Sequence, residues 1–159
     1  MRKESQGISW LEVIVLIVVV VLVAGIVVPN LWKSKAEINQ ASAVRSIRMI
    51  INAEANYAQA YDSGFTPALS TLGPPPDAMP TASLAGYIDS ELAAGAKEGY
   101  TFSYTAGPAD SNGRITTYKM TANPTSSSAG SVHYFVDQTG LIRQNTQQTA
   151  TDKDKPLGG

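Results

Sequence analysis

The 159-residue chain has no cysteine, one histidine and little charge: Asp, Glu, Lys and Arg together make up 16% of it. Without cysteine no disulfide can pin a small domain, and the usual zinc sites lose their main ligand. One histidine, His133, leaves little for a metal centre or for acid–base chemistry near neutral pH. The formal net charge of −1 excludes the basic footprint of a general nucleic-acid binder. No P-loop, zinc motif or dinucleotide fingerprint is present. The chain is still 43% hydrophobic, and much of that lies in one place.

That place is 7–29, GISWLEVIVLIVVVVLVAGIVVP, a nearly unbroken apolar run with one carboxylate, Glu12, close to its start. Roughly 20 apolar residues suffice for a helix to cross a bilayer core. A carboxylate in such a segment is costly and reads as functional. A cleaved secretory signal would use Val23-Ala24-Gly25 as its cleavage site, but the apolar run is long for one and Glu12 interrupts its beginning. An uncleaved signal anchor would leave Glu12 at the interface with no role. Arg2 and Lys3 precede the run and Lys33 and Lys35 follow it, so charge alone does not set orientation.

Counted from Ile8, Glu12 is the fifth residue and Pro29 the twenty-second, behind a short polar leader that ends in Gly7. This pattern resembles the class III signal of type IV pilins and of the pseudopilins of type II secretion systems. Ile8, Ser9 and Trp10 depart from the commonest residues at their places in the family, which are phenylalanine or methionine, threonine and leucine. The resemblance implies a bacterial inner-membrane, single-pass protein with its C-terminal domain outside the cytoplasm. It implies cleavage between Gly7 and Ile8, N-methylation of Ile8, and an assembly role for Glu12. The implied partners are a prepilin peptidase/methyltransferase, membrane lipid before assembly, and an inner-membrane platform with a separate ATPase. Further copies of the chain would complete a homo-oligomeric helical filament, either a surface pilus for adhesion or motility or a periplasmic pseudopilus for protein secretion. Within such a filament Glu12 would pair with the new ammonium on Ile8 of a neighbour, fixing register more than adding stability.

Pro29 lacks an N–H and its ring crowds the carbonyl of Gly25, itself a weak helix former. The two residues mark a helix weak point, able to kink or to extend during assembly. Beyond it, Ile38, Ala41, Val44, Ile47, Ile51, Ala55 and Ala58 recur at three- and four-residue steps, one helical face. Gln40, Arg45, Arg48, Asn52, Asn56 and Gln59 lie opposite, and Asp62-Ser63-Gly64 is a stop signal. A helix from Trp10 to Tyr61 would be roughly 75–80 Å long at 1.5 Å per residue.

The expected class is α+β, a pilin-like fold: one long N-terminal helix, its first half transmembrane, packed on a small antiparallel sheet. The expected segments are a leader at 1–7, a transmembrane and assembly helix at 8–32 and an amphipathic continuation at 33–62. A proline-rich connection at 63–98, antiparallel sheet at 99–145 and a flexible polar tail at 146–159 follow. Pro67, Pro74-Pro75-Pro76 and Pro80 exclude long elements from the connection, though Tyr87–Ala94 suits a short helix stopped by Gly95. In pilins this connecting region is a subunit contact surface, and the resemblance implies that role here. GYTFSYTA, RITTYKMTA and SVHYFV alternate as half-buried strands do. The VDQTGLIR stretch at 136–143 resembles the last hairpin of many pilins and pseudopilins, those described from Acidobacteria in particular.

Neither catalysis nor a cofactor is expected. Asp137 could suggest calcium, but calcium wants six to eight oxygens, and only Asp110, Asp152 and Asp154 are candidates to join it; a turn explains the residue. Ser131, His133 and Asp137 contain the residue types of a triad without a G-x-S-x-G elbow. The other-class alternative is a signal-anchored periplasmic ligand-binding or enzymatic domain that does not polymerise.

Overall fold

The computed structural model describes residues 10–77 and 79–158, except for the side chains of 24–30 and of Trp32. The chain is α+β. Helix α1 (Trp10–Tyr61) is followed by a 3-10 turn (Leu69–Leu72), a one-turn helix α2 (Ser90–Ala93) and strands β1 (Ala96–Lys97), β2 (Tyr100–Ala106), β3 (Tyr118–Pro124), β4 (His133–Asp137), β5 (Arg143–Asn145) and β6 (Lys155–Pro156). The strands form one antiparallel meander in chain order.

Alternation fixes the inner face of the sheet. Phe102 pairs with Ala122 and Ala122 with Tyr134; Tyr104 pairs with Met120 and Met120 with Val136. These rows pack on the second half of α1, through Ala43, Ile47, Ile50, Ala53 and Tyr57. The connection adds Leu69, Leu72, Ala85, Ile88 and Leu92 to the same core. Asp89 caps α2, its Oδ1 accepting from the Leu92 amide at 3.0 Å, while Lys97 holds its other oxygen at 2.5 Å. The lysine hydrogen bond keeps the Asp89 carboxyl below its usual range, with help from the cap.

The structure corrects the expected helix face. Asn39, Ser42, Ala43, Ser46, Ile47, Ile50, Ala53, Glu54 and Tyr57 are buried. Ile38 is 64% exposed, and Ala41 and Ala55 also face outward. The reason lies in the sheet, whose inner face carries Tyr100, Phe102, Tyr104 and Tyr134. Small helix residues accommodate these rings, and polar ones are buried where partners wait: Asn39 Nδ2 donates to the Ala129 carbonyl at 2.9 Å.

A second correction concerns 146–159, expected to be a flexible tail. Lys155 and Pro156 pair with Gln144 and Arg143, and Leu157 N donates to the Ile142 carbonyl at 2.8 Å. Polar contacts do what apolar content could not. Asp154 accepts from Asn145 Nδ2 (2.7 Å), Thr151 N (2.7 Å) and Thr151 Oγ1 (2.9 Å), and its carbonyl accepts from Arg143 Nη1 (2.9 Å). These bonds hold the Asp154 carboxyl below its usual range, the Thr151 amide contributing most. Ala150 is buried. The sheet accordingly extends beyond 99–145, to β1 on one edge and β6 on the other.

Where α1 ends, the chain turns sharply. Asp62 and Gly64 have positive φ. Phe65 N donates to the Ile115 carbonyl at 2.7 Å and Ile115 N to the Ser63 carbonyl at 3.0 Å. A Cβ on Gly64 would lie 2.1 Å from the Ile115 oxygen, so only glycine lets these backbones meet.

Candidate functional site

The candidate site is the first half of α1. From Trp10 to Val23 every side chain is exposed, the large apolar ones from 37% at Val13 to 79% at Trp10. An apolar face all round a helix has no core of its own to enter and requires lipid or other chains. Glu12 lies in the first turn of the described helix. Leu31 is exposed, and the exposed charges Lys33, Lys35 and Glu37 then mark the change to a polar surface.

The sequence-singled residues fall as follows. Gly7 and Ile8 lie outside the described residues, as does the leader as a whole. Glu12 is on the exposed apolar segment. The backbone stays helical through Gly25 and Pro29, whose side chains are not among those described. Among the described residues, no helix is long and apolar enough to cross a membrane.

The chain matches no family model, no curated protein and no solved structure.

Residues weighed for chemistry have structural partners. Asp137 Oδ1 accepts from the Thr139 amide at 2.9 Å and from its hydroxyl at 2.5 Å, and Gly140 closes the turn with φ +72°. His133 Nδ1 meets Asn123 Oδ1 at 2.7 Å across the sheet. Among the described residues no group of three or more His, Asp or Glu could hold a metal ion.

One chemically distinctive group escaped sequence reasoning. Glu54 projects from α1 into the core and is 0% exposed. Its Oε2 accepts from the Thr66 amide at 2.9 Å and its Oε1 lies 2.5 Å from the Thr66 hydroxyl. Thr66 is itself 0% exposed, and its carbonyl accepts from the Tyr104 hydroxyl at 3.0 Å. Tyr104 stacks on Tyr118 at 5.4 Å, and Phe65 meets Tyr118 edge-on at 4.9 Å. Burial raises the Glu54 carboxyl above its usual range, against the opposing pull of the Thr66 bonds. Burial likewise raises both phenols, Tyr118 to about 12. Spacing carried the signal: Glu54 stands seven after Ile47, four after Ile50 and three before Tyr57, on one helical face.

Proposed function

We propose that the chain is a structural subunit of a type IV pilus-like filament, cleaved after Gly7, methylated on Ile8 and assembled through α1. The observation that carries this reading is the helix itself. One continuous α1 is exposed and apolar at one end and packed against its own sheet at the other. The buried half anchors a folded head, and the bare half needs company that this head does not supply. In this reading the fold is pilin-like, and 8–32 spans the inner membrane before assembly, when lipid covers it. Copies of the same segment cover it afterwards. The head carries no function in catalysis.

Glu12 supplies register. Buried among apolar helices without water, a carboxylate must find a partner or take up a proton. The ammonium created at Ile8 by cleavage is such a partner, and in a filament a neighbouring subunit offers it. Gly25 and Pro29 supply the give, since a helix with a missing hydrogen bond and a poor helix former can extend locally.

The test is assembly in cells. Shearing should release filaments visible by electron microscopy that contain this chain. Glu12→Ala should abolish them while the subunit still accumulates in the membrane fraction. A chain that stays monomeric in detergent and never enters a filament would instead support an anchored periplasmic domain. A short, unsheared periplasmic assembly would support a pseudopilin.

A further inference from the structure

We propose that Glu54 is a protonation-controlled latch: as the neutral acid it locks the end of α1 to the sheet through Thr66 and Tyr104, and its ionisation loosens that junction. The proposal concerns the head alone and stands whether or not the chain forms filaments.

The hydrogen-bond geometry admits the neutral acid as well as the carboxylate, and full burial with no ion pair among the described residues favours the acid. Thr66 has one hydroxyl proton, yet its oxygen lies 2.5 Å from Glu54 Oε1 and 3.4 Å from the Tyr104 hydroxyl. A carboxylate takes that proton and leaves the Tyr104 contact without one. A carboxylic acid donates its own proton to Thr66 Oγ1. The threonine proton is then free for the Tyr104 oxygen, while Tyr104 donates to the Thr66 carbonyl at 3.0 Å. The extra proton adds this long hydroxyl contact to the network, and Glu54 Oε2 accepts from the Thr66 amide at 2.9 Å in either state.

Burial opposes the charged form, while hydrogen bonds from Thr66 and Tyr104 favour it in part. Facing Glu54 are the neutral phenols of Tyr104 from β2 and Tyr118 from β3, with Asp137 of β4 acting on Tyr118. Among the described residues no lysine, arginine or histidine forms an ion pair with Glu54. The Arg114–Asp62 pair, 3.1 Å apart, sits at the solvent side of the junction and is spent on itself. What opens is the segment 62–66 with its two backbone bonds to Ile115.

The sign follows from linkage. The carboxyl is raised in the closed state above its ordinary value of 4.5, which it regains when the junction opens to water. The closed state therefore holds its proton to higher pH. The latch is fully closed below 4.5 and weakens as pH rises, until the closed-state carboxyl has itself ionised; beyond that it is constant.

The experiment uses the full chain in detergent micelles, with carboxyl-labelled glutamate. Carbon NMR reads the Glu54 titration point, and hydrogen exchange, corrected for the intrinsic rate, reads protection at the Thr66 and Phe65 amides. Protection should fall tenfold for each unit by which Glu54 titrates above 4.5. Glu54→Gln, which mimics the neutral acid, should keep the amides protected and make protection independent of pH across that range. Titration at 4.5, or a Gln variant with the wild-type pH dependence, would overturn the proposal. So would a Gln variant that loses protection at every pH.

Discussion

Replacing Gly64 by alanine tests the junction between helix and sheet. Two costs add. At φ +76° an L-residue sits in the left-handed region, at about 1–2 kcal/mol. The new Cβ would also stand 2.1 Å from the Ile115 oxygen, a distance no packed structure tolerates. That oxygen is backbone and cannot swing aside, so the strands of the junction must part. The bonds Phe65 N to Ile115 O and Ile115 N to Ser63 O are then lost or stretched, at about 1 kcal/mol each. Together the loss is about 3–4 kcal/mol, a large share of a domain's stability. Gly113→Ala is the matched control. Its φ is +78°, nearly the same, but nothing lies within 4 Å of its Cβ position, so only the conformational cost of about 1–2 kcal/mol remains. Denaturant unfolding of the full chain in micelles, followed by near-UV signals from the tyrosines of the sheet, measures both. The difference between them isolates the close approach. Equal destabilisation by the two variants would refute it.

The corrected helix face separates two isoleucines. Ile50→Ala, at a fully buried position, should cost about 2–5 kcal/mol, whereas Ile38→Ala, mostly exposed, should stay within about 0.5 kcal/mol in the same unfolding assay. Asp154→Ala should release the returning tail, seen as lost hydrogen-exchange protection at Leu157 with the core amides unchanged. Because the Asp154 carboxyl is lowered in the folded tail, the tail's stability is complete above the ordinary value of 3.8 and falls away below it, so Leu157 protection in the wild type should decline on acidification through that range. Glu12→Ala should leave membrane insertion intact and reduce sheared filament yield to background, measured by blotting both fractions.

Much of the architecture was legible because it rests on local rules. Asp62-Ser63-Gly64 marked the end of α1 at Tyr61, and alternating aromatic and hydroxyl residues marked β2. The α+β class follows from those two patterns. The inward face of α1 was misread because apolar periodicity was counted alone. Asn39, Ser42, Ser46 and Glu54 are buried, and each is polar. Their burial depends on partners such as Ala129 and Thr66, which lie on other segments and leave no trace in a local pattern. The tail was misread for a related reason. Its composition resembles a solvated end, and only the fold brings Asp154 against Asn145 and Arg143. In the candidate site, the exposed apolar helix and Glu12 could be read directly, since a run of valines with one carboxylate needs no tertiary context to be conspicuous. Glu54 left a signal only in its spacing from Ile47, Ile50 and Tyr57, which the ordinary preference of a helical glutamate for water outweighs.

Mass spectrometry of the N-terminal peptide, from sheared surface material and from the membrane fraction, tests the proposed role most directly. A peptide that begins at methylated Ile8 in the sheared material is the expected result. An intact leader in every fraction, in cells that contain the processing peptidase, would contradict it.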